Sequence, residues 1–250
     1  MPHARGGAGP GDRPEAACPR PRPESRVERR RRALEPVRKV LTRPSKGREV
    51  INVQTVPMWT VEECRTVAFE LVGDMHPRWE HLSAVGELAE RLAERHPQVS
   101  MRVVQAAWLH DIGYASPIAH LGFHPVDGAE YLVSRDAPEG VPELVAFHTG
   151  ASFEAEERAL IKELKAFTPP DDHELDLLTM FDLAVSPSGE HVLDVRRVEE
   201  ILSRYDPDDP VFRAVTRSRA SLLEASRASK HMLGLPQDWP VVTSERVTYP

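Results

Sequence analysis

Residues 103–114 read VVQAAWLHDIGY, an apolar helical run that ends in the pair His110 and Asp111. Neighbouring residues of a helix are about 100° apart, so both side chains can lean toward one point beyond the helix end. A histidine nitrogen and a carboxylate oxygen form a mixed ligand pair that suits iron, manganese, zinc or a similar divalent ion. Gly113 is the expected helix stop. The pair indicates a metal position, although a solvated polar pair explains most such dipeptides when they stand alone.

Two further candidates fall on apolar helix faces. At about 100° per residue, His81 shares its face with Val85 and Leu88. A core histidine bonded to a backbone carbonyl is the alternative interpretation. Asp182 shares a face with Leu178, where a bare buried carboxylate is costly. Asp182 must therefore be paired, protonated or bound to a metal, and a buried salt bridge stays open as its alternative.

Two more histidines complete the set. His124 comes just before a helix that is expected to start at Pro125, the favoured first helical position. His148 ends the apolar segment 141–148. His120 competes with His124 for the same role, because only four residues separate them. The place of His124 at a helix start makes it the preferred candidate.

The order of these residues along the chain resembles that of the HD-domain superfamily of metal-dependent phosphohydrolases. The stretches GFHPVDGA at 122–129 and AFHTGA at 146–151 look like a bacterial stand-alone branch, and the resemblance covers roughly residues 60–205. It implies a single helical domain with its metal site in the core of the bundle. The implied metal ligands are His81, His110, Asp111, His124, His148 and Asp182.

The resemblance also implies how these ligands divide. Members with one metal use the residues that match His81, His110, Asp111 and Asp182. Members with two metals add those that match His124 and His148, and the carboxylate at Asp111 then bridges the ions. One or two divalent ions are therefore expected, from among Fe, Mn, Co, Mg and Zn. The catalytic candidates are Asp111, His110 and Asp127, the last because it follows His124 by three residues.

Tyr114 departs from the family pattern. Many members carry Lys after His-Asp-X-Gly, where it can meet a phosphate, so here the substrate charge must be met by the metals or by another cation. Arg158 and Lys162 are candidates because they are one turn apart. Glutamates surround both cations, so a solvated helix face is the more frequent outcome for them.

Helical stretches separated by breaks containing Pro or Gly predict an all-α fold. Thr60 and Glu63 form a capping-box pattern at the first helix. Strand-like runs are short, at 50–53 and 240–243. The predicted organisation is a tail at 1–50, an HD-type helical domain at 58–235 and a C-terminal extension at 236–250. The helices are expected near 61–73, 78–95, 99–111, 125–135, 141–148, 155–166, 174–185, 195–205 and 211–231.

Charge divides the chain into a basic start and an acidic body. Residues 1–50 hold 14 Lys or Arg against 6 Asp or Glu, with 8 Pro and 5 Gly, whereas the whole chain has a net charge of −7. The first segment is therefore expected to be a disordered basic tail. The acidic remainder argues against nucleic acid as the main partner. The run of arginines at 29–32 leaves an acidic partner open for the tail.

Two cysteines, Cys18 and Cys64, give no disulfide framework, and no apolar run is long enough to span a membrane. A cytoplasmic protein without membrane contact is the default expectation. The helix at 211–235 is expected to cap the domain, with a homodimer interface as its alternative.

Hydrolysis of a phosphate ester, a nucleotide or a related small phosphate, is the function that the resemblance implies. A di-iron oxygenase similar to myo-inositol oxygenase is an alternative, since both chemistries use the same ligand types. A nucleotide-binding regulatory module with a structural metal is the non-enzymatic alternative.

Overall fold

The structure is a computed structural model that describes residues 59–240. All of these residues belong to one compact unit. The predicted tail at 1–50, the strand-like run at 50–53 and the end of the extension beyond 240 lie outside the described residues. Residues 59–240 contain ten α-helices: α1 Val61–Val72, α2 Arg78–Ala93, α3 Met101–Leu109, α4 His124–Ser134, α5 Val141–Phe147, α6 Ala151–Glu157, α7 Ile161–Leu164, α8 Asp172–Leu183, α9 Asp194–Arg204 and α10 Pro210–Met232.

The all-α fold class is confirmed. Within residues 59–240 the β-structure amounts to an isolated bridge between Val185 and His191, just after α8. Two 3-10 turns, Ile112–Tyr114 and His148–Gly150, join the longer helices. None of the helices formed by residues 59–240 combines the length and the apolar character that a membrane crossing requires.

Local sequence signals explain where several helices begin. The predicted capping box is present at α1, where the Thr60 hydroxyl accepts from the Glu63 backbone N–H and the Glu63 carboxylate accepts from the Thr60 backbone N–H at 2.6 Å. Asp171 caps α8 through its carboxylate. Asp209 caps α10, which has Pro210 at its first position. Each cap satisfies backbone N–H groups that a helix start leaves without a partner.

The single helix predicted for 155–166 is wrong. α6 ends at Glu157, and Ala159 adopts the left-handed region with φ 55°. The backbone N–H of Leu160 then donates to the carbonyl of Ala155 at 2.7 Å, the pattern of a Schellman ending. Neither Pro nor Gly marks this break, which is why the pattern of residue types missed it. A short separate helix, α7, follows.

α3 is the central helix of the fold. Every residue from Val103 to Leu109 is buried, and α3 contacts α1, α2, α5 and α8. A helix that is surrounded by other helices carries mostly apolar residues on every face. The C-terminal end of α3, and the pair His110–Asp111 that follows it, therefore lie inside the bundle. α10 packs against α8, α6 and α9.

Candidate metal centre

The end of α3 delivers His110 and Asp111 to the interior. The helix ends at Leu109, and Asp111 has left the helical region with φ −102° and ψ 3°. Gly113 is therefore not the helix stop that the sequence predicts. Its role is close packing: a Cβ at this position would lie 2.0 Å from the carbonyl oxygen of His124. The missing side chain lets the start of α4 approach, which brings His124 to Asp111.

The first group of candidate ligands joins α2, the end of α3 and α8. One ligand atom from each of His81, His110 and Asp182 lies within 4.8 Å of the others, and all three residues are buried. The Nε2 of His81 is 3.0 Å from Oδ1 of Asp182. The rings of His81 and His110 meet edge to face at 5.5 Å. Placement of His81 and Asp182 on buried faces agrees with the sequence pattern.

The second group contains Asp111, His124 and His148, which also lie within 4.8 Å of one another through their ligand atoms. Oδ1 of Asp111 is 3.4 Å from Nε2 of His124 and 3.8 Å from Nε2 of His148. The two histidine Nε2 atoms are 3.2 Å apart. Between the two histidines that the sequence left in competition, it is His124 that joins this group.

Asp111 and His110 connect the two groups. The Oδ2 of Asp111 is 3.7 Å from Nε2 of His110, on the other side of the carboxylate from His124. The rings of His110 and His148 are 5.2 Å apart. The two groups are therefore adjacent, and the carboxylate of Asp111 faces both of them.

Hydrogen bonds to backbone carbonyls turn three histidine rings toward the interior. A carbonyl oxygen only accepts, so each bonded Nδ1 carries the proton, and in a neutral ring Nε2 then holds a lone pair. Metal-binding histidines almost always donate their other N–H in this way. The bonds run from His81 to Ser186 at 3.2 Å, from His110 to Ala107 at 2.9 Å and from His148 to Val145 at 2.6 Å.

The free nitrogens fit a cation. The Nε2 of His110 is buried and lacks a hydrogen-bond partner among residues 59–240. In His81, the Nδ1–H bond leaves Nε2 facing the Asp182 carboxylate at 3.0 Å. Two acceptors at this distance need a proton or a positive ion between them. A buried polar atom without a partner is costly, and a divalent ion would satisfy these atoms together.

The electrostatic surroundings of the site favour ionised carboxylates and neutral histidine rings. Burial alone would raise the pKa of Asp111, but Arg78 and the neighbouring histidines hold that pKa well below its usual range. Burial likewise opposes ionisation of Asp182, yet His81 and His110 beside it lower its pKa. Burial lowers the pKa of His124 and His148, so both rings stay neutral. Ionised carboxylates and neutral imidazoles are the states that bind metals.

Arg78 is a functional candidate that the sequence reasoning missed. Its Nη1 donates to Oδ2 of Asp111 at 2.7 Å, and its guanidinium lies 3.7 Å from the ring centroid of Tyr114. Tyr114 in turn stacks on His124 with ring centroids 4.0 Å apart. Arg78 precedes His81 by three residues on α2, so both lie on one side of the helix. That spacing is the signal that could have identified it.

The structure does not bring Asp127 into either ligand group. Its buried carboxylate accepts from the backbone N–H groups of Leu121 at 2.9 Å and Phe123 at 3.2 Å. His120 approaches Asp127 at 2.9 Å and Glu130 at 2.8 Å. Both carboxylate oxygens of Asp127 are engaged by these bonds, which fix the loop that leads into α4.

Neither of the two other cations named from the sequence pairs with a candidate ligand. Arg158 bonds the carbonyl of Gly122 at 2.7 Å and pairs with Glu154. Lys162 lies on the separate helix α7 and is exposed. The break at Ala159 removes the shared helix face on which their pairing depended.

Comparison with known proteins gives one match. The family model described as HD domain matches residues 78–183, a range that begins at Arg78 and includes all six candidate ligands. No curated protein and no solved structure matches the chain.

Proposed function

Because this chain belongs to the HD-domain superfamily, whose members are typically metal-dependent phosphohydrolases, we propose that it hydrolyses a small phosphate ester, a nucleotide or a related compound. One observation carries the proposal. Two adjacent His/Asp groups bring their histidine nitrogens and ionised carboxylate oxygens together in the interior, and the Nε2 of His110 there is buried without a hydrogen-bond partner among residues 59–240. That donor set suits one or two divalent ions of the kind that such hydrolysis requires.

The proposed ligands are His81, His110 and Asp182 in one group, and Asp111, His124 and His148 in the other. A bound divalent ion supplies a water whose pKa falls from ~15.7 toward ~7 and a Lewis acid for a phosphoryl oxygen. The chain holds the carboxylates ionised and fixes the rings through carbonyl bonds. Asp111 faces both groups, so it has the central place among the proposed catalytic residues, with His110 beside it.

Arg78 is the proposed contact for substrate phosphate. The position that holds Lys in many family members holds Tyr114 here, and Arg78 lies over that tyrosine ring. Its partial exposure, 28% of the side chain, makes it reachable by a ligand while its Nη1 remains bonded to Asp111. A guanidinium is well suited to phosphate because its donors form a planar fork. In this chain an arginine from α2 takes the role that lysine has elsewhere.

Metal analysis of the purified protein, followed by a screen of phosphate esters with Mn, Fe, Co and Mg, tests the proposal. We expect bound divalent metal and turnover of at least one phosphate ester. His110→Ala and Asp111→Ala should each abolish turnover and reduce metal content. Arg196→Ala is a matched surface control, because that side chain is 75% exposed and pairs with Glu199 on α9. Unchanged activity and metal content in both site variants would contradict the proposal.

The same preparation separates the two alternatives. Two irons per chain together with oxygen uptake would favour an oxygenase on this scaffold. Tight nucleotide binding without turnover under every metal would favour a regulatory module. The phosphohydrolase is preferred because a guanidinium lies directly beside the candidate metal ligands.

A further inference from the structure

Thr149 has a backbone conformation that its side chain disfavours. It lies between His148 and Gly150 with φ 39° and ψ 53°, in the left-handed region. A β-branched residue in this region is a genuine outlier. Such strain costs about 1–3 kcal/mol and persists where the surroundings impose it, often at functional sites. Gly150, the next residue, also has a positive φ of 79°, but glycine adopts this region without the steric cost because it has no Cβ.

The strained conformation directs the Thr149 hydroxyl to one atom of the site. Its Oγ1 donates to Oδ2 of Asp182. The other carboxylate oxygen, Oδ1, faces Nε2 of His81 at 3.0 Å. The hydroxyl therefore fixes the rotation of a buried carboxylate, and it presents Oδ1 to the first ligand group.

Thr149 also connects the two groups through the chain. It follows His148 of the second group directly, and its hydroxyl bonds Asp182 of the first. His148 is anchored independently through Nδ1 to the carbonyl of Val145. The Thr149 hydroxyl therefore connects the turn after α5 to Asp182 on α8.

We propose that Thr149 is a positioning residue that orients Asp182 for metal binding and sets the spacing of the two ligand groups. The inference rests on the proposed metal site and goes beyond it, because Thr149 is not itself a ligand. Hydrogen-bond partners of ligands commonly change metal affinity by about 10–100-fold when they are removed. A residue without the hydroxyl would leave Oδ2 of Asp182 without this donor.

Three substitutions at Thr149 separate the hydroxyl from the backbone strain. Thr149→Val keeps the shape and removes the donor, Thr149→Ser keeps the donor, and Thr149→Gly removes both the donor and the strain. The control is Thr179→Val, the same isosteric change at a buried position three residues before Asp182. Manganese affinity of the full-length protein is measured by calorimetry, and thermal unfolding is measured after chelation.

We expect Thr149→Val and Thr149→Gly to bind manganese about 10–100-fold more weakly, with Thr149→Ser and Thr179→Val close to the wild type. Thr149→Gly should unfold, when free of metal, at or above the wild-type temperature. Weaker binding in a chain that is no less stable would not arise from a merely structural role. Wild-type affinity in both Thr149→Val and Thr149→Gly would overturn this inference alone. A wild-type chain that binds no metal would overturn the proposed function as well.

Discussion

Gly113 shows how one absent side chain controls the site. Its backbone is so close to the start of α4 that an added Cβ would lie 2.0 Å from the carbonyl of His124 and 2.7 Å from the backbone nitrogen of Gly128. Backbone atoms cannot move aside as the end of a flexible side chain can. The contact therefore decides the distance between the pair His110–Asp111 and His124.

Gly113→Ala should lower stability by about 1–3 kcal/mol, the usual effect of overpacking, and should displace His124 from Asp111. We expect a lower unfolding temperature in calorimetry and a weaker second ligand group in metal titration. Gly122→Ala is the control. Its Cβ would meet no atom within 4 Å, but its φ of 67° strains an alanine by about 1–2 kcal/mol. Equal loss of metal in both variants would contradict a specific role for Gly113.

Arg78→Met tests the proposed phosphate contact. A hydrogen bond to a charged group is worth about 1.5–3 kcal/mol, so kcat/KM for a phosphate ester should fall by about 10- to 100-fold. Arg78→Lys should retain part of the activity because it keeps the charge. Arg196→Met removes an exposed arginine of α9 and should have no effect. A kcat/KM in Arg78→Met equal to that of the wild type would assign the phosphate contact elsewhere.

At the scale of elements, the sequence predicted what burial and periodicity determine. The apolar faces of His81 and Asp182 and the apolar run before His110 placed these residues inside the bundle, where the structure has them. The sequence could not predict features set by close approach between distant segments. The role of Gly113 and the contact from Arg78 to Asp111 are of this kind, because each depends on another segment of the chain. The break at Ala159 is local, but neither Pro nor Gly marks it.

An ion pair between a buried lysine and a partly buried aspartate joins the start of α9 to the end of α10. Lys230 is 1% exposed, and its Nζ donates to Oδ2 of Asp194 at 2.8 Å and to the carbonyl of Gln237 at 3.2 Å. Ser226 donates to the same carboxylate oxygen at 2.8 Å. The bonds of this pair involve no candidate ligand, so substitutions here test how α10 is attached.

Asp194→Asn should lower the free energy of unfolding by about 3–5 kcal/mol at neutral pH, because it leaves Lys230 buried without its counterion. Burial alone would raise the pKa of Asp194, but the bonds from Lys230 and Ser226 lower it below the usual 3.8. A carboxylate with a lowered pKa stabilises the fold above its unfolded pKa, and this stabilisation is lost as pH falls through the folded value.

The difference between wild type and Asp194→Asn should therefore be largest at pH 7 and shrink below pH ~4. Urea unfolding at a series of pH values measures it. The double variant Asp194→Leu/Lys230→Met should recover most of the loss, since replacing a buried pair by apolar residues is often neutral. A difference that stays constant with pH would show that the ion pair is not its source.

For the whole molecule, the ligands depend on the fold as a unit. The six candidates come from α2, the end of α3, the start of α4, the turn after α5, and α8. These residues are up to about a hundred positions apart in sequence, so an unfolded chain does not hold them close together. A metal that binds them together binds the native state alone, so metal binding and stability must be linked.

Saturating metal should therefore stabilise the protein by about 2.7 kcal/mol when free metal is 100-fold above Kd. Thermal or urea unfolding of the same protein with manganese and with a chelator measures this increment. His110→Ala should reduce the increment sharply, because it removes the buried Nε2 that otherwise lacks a partner. Comparing each variant with and without metal cancels any loss of packing that the substitution itself causes. The control Arg196→Ala should show the same increment as the wild type. If His110→Ala also showed the wild-type increment, the bound metal would lie outside the two ligand groups.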